Sequence, residues 1–502
     1  MVINTNPSIC INHGRFYDRA GRQVLLHGIN LVNKNPQAGY LGDETQETFA
    51  AFRRWGFNCM RLGVIWDGLE PQPGEYNETY LKDIDQRIAW ARQNDLYVFI
   101  DMHQDLYSVL FSDGAPAWAT LTDGDPHQLE GGVWDDAYYT SPALQTAFEH
   151  FWQNSPAPDG VGLQDHYAAA WATLARRYCH EPAVIGYDLM NEPMPGRASP
   201  DVLQAMLVKG AEMLAQLDHL DETSLPGLAE LFLQPDGRIQ LFQRLDDVEL
   251  FGQILEAPLS LCQSFEQEYL LPFYQRVAKA IRAVDAEKIL FLETSAFSNF
   301  GIYSSIKPIV SCKEDYQQAY SPHCYDLVTD TEYVAYPNPE RVKLIYTRHA
   351  ETARKWNWPA LVGEWGAFDF RPGTLPAARM NVREIEKRLF SETYWCYQPG
   401  LEQAECFLAL HRPYPERVAG FLEQYQYDPV TGVFTCSWRE DPSVKAASVI
   451  YLPNWFDFDP HKLELSPLGE APPEIINQPN GLWLHIQPSG EAGQRTFKAQ
   501  SK

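Results

Sequence analysis

Eight short apolar runs, mostly separated by helix-length segments, constrain this chain more than any other feature. They are VLLHGINL (24–31), CMRLGV (59–64), LYVFIDM (96–102), VIGYDLM (184–190), ILFLE (289–293), AYSPHCY (319–325), ALVGEW (360–365) and TYWCY (393–397). Helix-like stretches such as 45–55, 80–94 and 164–178 lie between them. A strand buried on both faces reads as a nearly continuous apolar run, and a parallel neighbour is reached through a crossover that is usually a helix. The alternation therefore predicts βαβ units. Eight such units with no Gly-rich nucleotide fingerprint favour a closed (β/α)8 TIM barrel over a doubly wound sheet. The fold class is α/β.

Past about residue 415 the texture changes. GVFTCSWRE (432–440), AASVIYLPNWF (446–456), GLWLHIQP (481–488) and QRTFKA (494–499) are short strand candidates split by Pro, Gly and Asp. These predict a small C-terminal antiparallel β-sandwich over 416–502, after a catalytic barrel over 1–415. Two long insertions interrupt the barrel, at about 111–158 and 195–262, and both leave from the C-terminal ends of strands. Barrels keep their active sites on that face. The second insertion is rich in leucine and reads either as an amphipathic lid over an apolar substrate or as a helical hairpin without substrate contact.

Composition narrows the function. The sum of 40 basic and 66 acidic residues is −26, which opposes nucleic-acid backbones and anionic membrane surfaces. Fourteen Trp, 26 Tyr and 25 Phe suit stacking on sugar rings, and they suit a large aromatic core as well. The nine cysteines are scattered with no CxxC pair, so neither a zinc site nor a disulfide framework is indicated. Residues 1–30 lack a basic segment followed by an apolar one, so the expected compartment is the cytoplasm, or the exterior if a leader has been removed.

The chemistry sits at strand ends. Glu192 follows the fourth run in YDLMNEP (187–193), and Glu364 ends the seventh in LVGEWG (361–366). Strands four and seven lie on opposite sides of a barrel mouth, so both carboxylates can face one cleft. Two such carboxylates match the machinery of glycoside hydrolysis, in which one protonates the leaving oxygen and the other attacks the anomeric carbon. Their proton affinities must then differ. Arg61, in the second run, can keep Glu364 ionised or serve as a structural ion pair. His323 and Tyr325 sit on alternate positions and are expected to hydrogen-bond the nucleophile.

His103 and Asp105, in DMHQD (101–105), lie two residues apart and suit sugar hydroxyls. As metal ligands they lack a third partner at a recognisable spacing, and no metal is expected. Asn191 can donate to the sugar 2-hydroxyl, and Trp395 can floor the subsite. Lys34, in HGINLVNKNP (27–36), is either a sugar donor or a plain surface charge.

NEP (191–193), GEWG (363–366), the arginine after strand two and HxY (323–325) together resemble glycoside hydrolase family 5. Within that family, LLHGINLVNKNP (25–36) and FIDMHQDLYS (99–108) resemble the endoglycoceramidase and glucosylceramidase-related branch. The likeness runs from about residue 12 to 420 and extends into the tail. It implies a retaining β-glycosidase that acts on a glycolipid and needs no cofactor. Glu192 would be the acid/base and Glu364 the nucleophile. Lys34, His103, Asp105 and Asn191 would bind the sugar next to the scissile bond, with Trp395 beneath it.

An exo-acting β-glucosidase on glucosylceramide or steryl glucosides is the alternative, favoured by the long second insertion. A β-1,4-glucanase and a non-catalytic glycolipid-binding protein are the remaining readings. The expected partners are the glycolipid and a transient membrane or micelle surface near the cleft. No nucleic acid and no obligate protein partner are expected.

Overall fold

The computed structural model describes residues 8–218, 225–310, 315–468 and 471–501. Each of the eight apolar runs overlaps a barrel strand: β1 His27–Leu31, β2 Cys59–Ile65, β3 Tyr97–His103, β4 Val184–Asp188, β5 Ile289–Leu292, β6 Gln318–Tyr320, β7 Leu361–Val362 and β8 Ser391–Tyr394. All pair in parallel in the order β7–β8–β1–β2–β3–β4–β5–β6. A parallel bridge from Tyr320 to Ala360 joins the two ends, so the sheet closes into a (β/α)8 barrel. Above β6 and β7, His323–Cys324 pairs in parallel with Glu364–Trp365 and sets His323 opposite Glu364.

The strands carry two kinds of interior. Successive side chains alternate between faces, so residues two apart share one. Cys59, Phe99, Phe291, Ala319 and Leu361 belong to one buried apolar cluster, with Ile9 and Phe16 of the N-terminal hairpin packed among them. Two residues further along β2, β3 and β5 stand Arg61, Asp101 and Glu293, all buried. The barrel is thus apolar at one end and charged at the other.

The second insertion is helical where described: Ser199–Asp218, Leu225–Leu233, Pro235–Arg244, Val248–Glu256 and Leu259–Phe265. Leu228, Leu250 and Ile254 form a small core of their own, packed with Met206 and Leu207.

After the barrel, two antiparallel sheets face each other across a shared core that includes Leu422, Phe434, Trp438, Ile450 and Leu484. One sheet has four strands, with Gly420–Asp428, Val433–Glu440, Gly493–Gln500 and Glu464–Ser466 in that order. The other holds Tyr414–Val418, Ser448–Pro453, Gly481–Ile486 and Glu474–Gln478. The chain switches sheets at Gly420, whose φ is 145° and where an added Cβ would lie 2.1 Å from the Arg439 carbonyl oxygen. Only glycine fits that crossing.

One division expected from sequence is redrawn. Ile9–Asn12, Arg15–Asp18 and Gln23–Val24 join the larger sandwich sheet through Tyr414–Val418, so residues 9–24 do not belong to the barrel alone. The run 24–31 is one apolar stretch in sequence but serves two sheets, because Val24 pairs with Arg417 while Gly28 pairs with Cys59. Both ends are buried, so hydropathy alone does not mark the break.

Glu416 ties the two units together. It is 0% exposed, accepts two hydrogen bonds from Arg53 at 2.8 and 3.1 Å, and accepts another from the Trp483 indole at 3.0 Å. Burial would raise its carboxyl, but Arg53 and Arg417 hold it at about 2. An unfolded glutamate titrates near about 4.3, so this group's contribution to stability is complete above that range and disappears as pH falls through 2. Glu416→Ala strands buried guanidinium charge and should cost about 3–5 kcal/mol in urea unfolding at neutral pH. A loss below about 1 kcal/mol would show that the clamp does not hold the units together.

Candidate active site

Arg61 projects inward from β2 and is completely buried. Its Nε donates to Asp188 Oδ2 at 2.8 Å, one Nη donates to Glu364 Oε1 at 2.7 Å, and the other donates to Glu293 Oε1 at 2.7 Å. Asp101 lies 3.0 Å away, and Asn30 and Asn191 accept at 3.2 and 3.0 Å. The planar fork, itself on strand two, therefore reaches groups of strands one, three, four, five and seven, a geometry that an ammonium cannot reproduce.

Above it stand the two glutamates named from sequence. Glu364 accepts from Arg61 on one oxygen and from the Tyr325 hydroxyl, at 2.9 Å, on the other. Burial, with Glu192 beside it, raises its carboxyl above the usual range despite the opposing pull of His323 and Arg61. Both of its oxygens accept from donors, which is the bonding pattern of a carboxylate.

Glu192 has φ 43°, the left-handed region that a residue with a side chain rarely takes. Its N–H donates to Glu293 Oε2 at 2.8 Å, while Gln104 Nε2 donates to the carbonyls of Asn191 and Glu192 at 2.8 and 3.2 Å. Glu192 Oε1 accepts from Asn299 and from His323 Nδ1, each at 2.7 Å. One expectation changes here: the close bond of His323 goes to Glu192, with Glu364 Oε2 further off at 3.5 Å. Tyr325 alone makes the hydrogen bond to Glu364 expected of the pair. Oxygens of Glu192 and Glu364 lie within 4.8 Å of each other.

The sugar-binding candidates converge beside them. Lys34 forms an ion pair with Asp105 and sits over the Trp395 ring, 4.6 Å from its centroid. His103 stacks on Trp395 at 5.2 Å and 15°. Its Nδ1 bonds Asp101 at 2.8 Å, and its Nε2 makes no hydrogen bond and lies 3.8 Å from Asp105 Oδ2. Burial would lower the imidazole, but Asp101 and Asp105 bring it up to about 10. Asn191 is buried, with Nδ2 donating to the Gln104 carbonyl and Oδ1 taken by Arg61, which leaves one amide hydrogen.

Asp113 supplies the third acidic neighbour that sequence spacing did not reveal, within 4.8 Å of His103 and Asp105. Burial and Asp105 push its carboxyl up to about 6. Lys34 already neutralises Asp105, so this set is arranged for hydrogen bonding.

Lys34, His103, Asp105, Glu192, Glu364 and Trp395 line one cavity of about 290 Å³. Its other end is walled by residues of the second insertion, among them Leu203, Met206, Leu207, Leu228, Phe232 and Phe242. A polar site and an apolar gallery therefore share one enclosure. Trp134, from the first insertion, donates to Asp330 at 3.1 Å beside the same cavity.

Several site residues were not singled out by sequence. Glu293, Asp101 and Asp188 each end or lie in a strand run already recognised, so the logic applied to Glu192 and Glu364 would have found them. Asn299, in the turn Ala296–Phe300, carries no such signal.

A barrel with paired glutamates at the ends of strands four and seven, above a buried arginine, has the architecture of a retaining glycosidase. The cellulase (glycosyl hydrolase family 5) model matches residues 17–219 and 256–400, and the glycoside hydrolase family 5 C-terminal domain model matches 412–495. The chain belongs to glycoside hydrolase family 5. An endoglycoceramidase of Hydra vulgaris is 32% identical over 222 residues, covering 39% of this chain and 41% of that protein. A glucosylceramidase of Aspergillus fumigatus is 28% identical over 241 residues, covering 36% of this chain and 32% of that protein. The matches thus span about two fifths or less of these relatives. Endo-glycoceramidase II from Rhodococcus sp., solved with ganglioside GM3, superposes with a TM-score of 0.73 over 97% of this chain and 99% of that chain at 23% identity. Cryptococcus neoformans sterylglucosidase 1 gives 0.69 over 99% and 98% at 16% identity. Both likenesses concern the fold.

Arg61→Lys keeps the charge and loses the fork. It should destabilise the protein by at least about 3 kcal/mol in urea unfolding, because buried carboxylates lose their donors. A change within about 1 kcal/mol would mean that charge alone holds the cluster.

Proposed function

We propose that this protein is a retaining β-glycosidase that cleaves the bond between a sugar and a lipid aglycone, in the manner of an endoglycoceramidase. The observation that carries this reading is the single cavity joining the Glu192–Glu364 pair to an apolar gallery. The carboxylate spacing supports retention, since retaining enzymes hold the pair ~5–5.5 Å apart and inverting ones ~6.5–9.5 Å.

In the first step Glu192 gives its proton to the glycosidic oxygen. Glu364 bonds to the anomeric carbon as the carbon–oxygen bond to the lipid breaks. In the second step Glu192 takes a proton from water, the water oxygen bonds to that carbon, and Glu364 leaves. Lys34, Asp105, His103 and the free Asn191 hydrogen orient the sugar over Trp395. The gallery receives the lipid.

A polar feature of the cavity favours ceramide over sterol. Asp135 Oδ1 is buried without a partner, and burial with Asp136 and Asp330 pushes that carboxyl up to about 7. Asp135 and Asp330 both line the cavity. An unmet buried acceptor is costly, and a donor that reaches it is rewarded. Ceramide carries an amide N–H and a hydroxyl next to its glycosidic oxygen, whereas a sterol has no donor there. Relatives named endoglycoceramidase and glucosylceramidase accord with this choice. Exposed Val208 and Leu231, on helices whose other residues line the gallery, offer a contact for the membrane or micelle that presents the lipid.

Glu364→Gln should lower turnover of a fluorescent glucosylceramide or lactosylceramide on the order of 10⁵-fold. Retention of activity in that variant would overturn the reading. Product analysis on the same two lipids separates the modes: intact lactose released from lactosylceramide means endo action, and cleavage of glucosylceramide alone means exo action. Preferential turnover of cellulose oligomers would instead make the protein a glucanase.

Leu207→Gln places a polar amide in the gallery. It should raise KM for glucosylceramide by about 10-fold, the scale of one buried leucine, and leave a small aryl β-glucoside within about twofold. Equal effects on both substrates would place the lipid elsewhere.

A further inference from the structure

Glu293, at the end of β5, is buried and makes no direct approach to the sugar site, yet it contacts Glu192 by two routes. Its Oε2 accepts the Glu192 backbone N–H at 2.8 Å. Its Oε1 lies 3.3 Å from His323 Nε2, and the Nδ1 of that same ring meets Glu192 Oε1 at 2.7 Å. Arg61 anchors the same Oε1 at 2.7 Å, and the Tyr274 hydroxyl donates to the Glu293 carbonyl at 3.2 Å. The carboxylate is therefore fixed from below, while its free reach is directed at the backbone and the hydrogen-bond donor of one catalytic group.

Resting on the glycosidase reading, we propose that Glu293 is a positioning residue for the acid/base, acting on Glu192 through its backbone N–H and through His323. The first contact holds a residue whose φ of 43° is unfavourable for a side chain. The second keeps the imidazole oriented and charged. Glu293 and Glu364 lie 3.3 and 3.5 Å from His323, and both carboxylates favour the imidazolium. A ring so held donates from Nδ1 to Glu192 Oε1, which also receives Asn299. The transferable proton then resides on Oε2, which takes no protein hydrogen bond from the described residues. Without Glu293 the ring loses the carboxylate charge beside Nε2, and the Glu192 backbone loses the group that pins its turn.

A group that works through the acid/base has a distinctive kinetic signature. An alkyl or ceramide leaving group needs a proton as it departs, whereas a dinitrophenolate leaves without one. Glu293→Gln should therefore lower kcat/KM on an alkyl β-glucoside about 100-fold, within the range of general acid catalysis, and on a dinitrophenyl β-glucoside by less than about fivefold. Glu293→Asp keeps the charge at shorter reach and should fall between the wild type and Glu293→Gln on the alkyl substrate. It also serves as the test variant if the glutamine protein does not fold. Parallel losses on both substrates in whichever variant folds would overturn the proposal and make Glu293 a general support of the barrel. A dinitrophenyl substrate that is unaffected by Glu364→Gln would instead remove the glycosidase reading itself, so the two failures are distinguishable.

Discussion

The buried guanidinium of Arg61 is the constraint on which the rest of the site depends. A charge placed inside a barrel costs several kcal/mol unless it is paired and fully hydrogen-bonded. Here one fork engages Asp188, Glu293 and Glu364, with Asp101 at 3.0 Å. Four carboxylates around one cation would over-correct, and further groups restore the balance. Burial and Glu293 push the Asp188 carboxyl well up, which favours its neutral form. His103 and His323 are held cationic by their carboxylate neighbours despite burial.

That machinery does not by itself select a lipid. The family match breaks between residues 219 and 256, within the second helical insertion. Leu228, Phe232 and Phe242, in the unmatched stretch, line the gallery next to the glutamates. On the proposed reading, the barrel supplies the reaction and the insertion shapes the space for the leaving group. This division places substrate choice in a segment whose own packing, around Leu228, Leu250 and Ile254, is largely separate from the barrel core. It also explains why a cellulase-type model describes the barrel of a chain whose cavity is largely apolar.

The legible part of the fold follows from periodicity. Strands buried on both faces left eight apolar runs, and a lone arginine or glutamate within such a run marks the polar interior layer. The candidate catalytic pair was readable because each glutamate closely follows an apolar strand run, and Glu293 was equally readable by that rule. Contacts made by loop closure were not. Asn299 reaches Glu192 from across 107 positions, and Asp113 reaches Asp105 only because residues 105–115 fold back on themselves. Tyr414–Val418 was missed because Pro415, Glu416 and Arg417 look like a surface loop, although Glu416 is wholly buried against Arg53. The partner of His323 could not be read from alternation, which gives the face of a side chain and not which of two facing carboxylates is nearer.

The two proposed catalytic positions are held by opposite means. Glu364 pairs in register with His323 on regular strand, so its direction is set by the sheet. Glu192 lies past the end of β4 in a left-handed turn, a conformation that costs a residue with a side chain about 1–3 kcal/mol. Its neighbours carry that cost: Glu293 takes the N–H, and Gln104 takes the carbonyls on either side of the peptide link to Asn191. Gln104 and Glu293 come from strand ends three and five, which flank strand four. The turn is therefore fixed before any sugar arrives. An acid that must keep its proton toward a departing oxygen and then accept one from water gains from such fixation, since neither step has to reorganise the backbone.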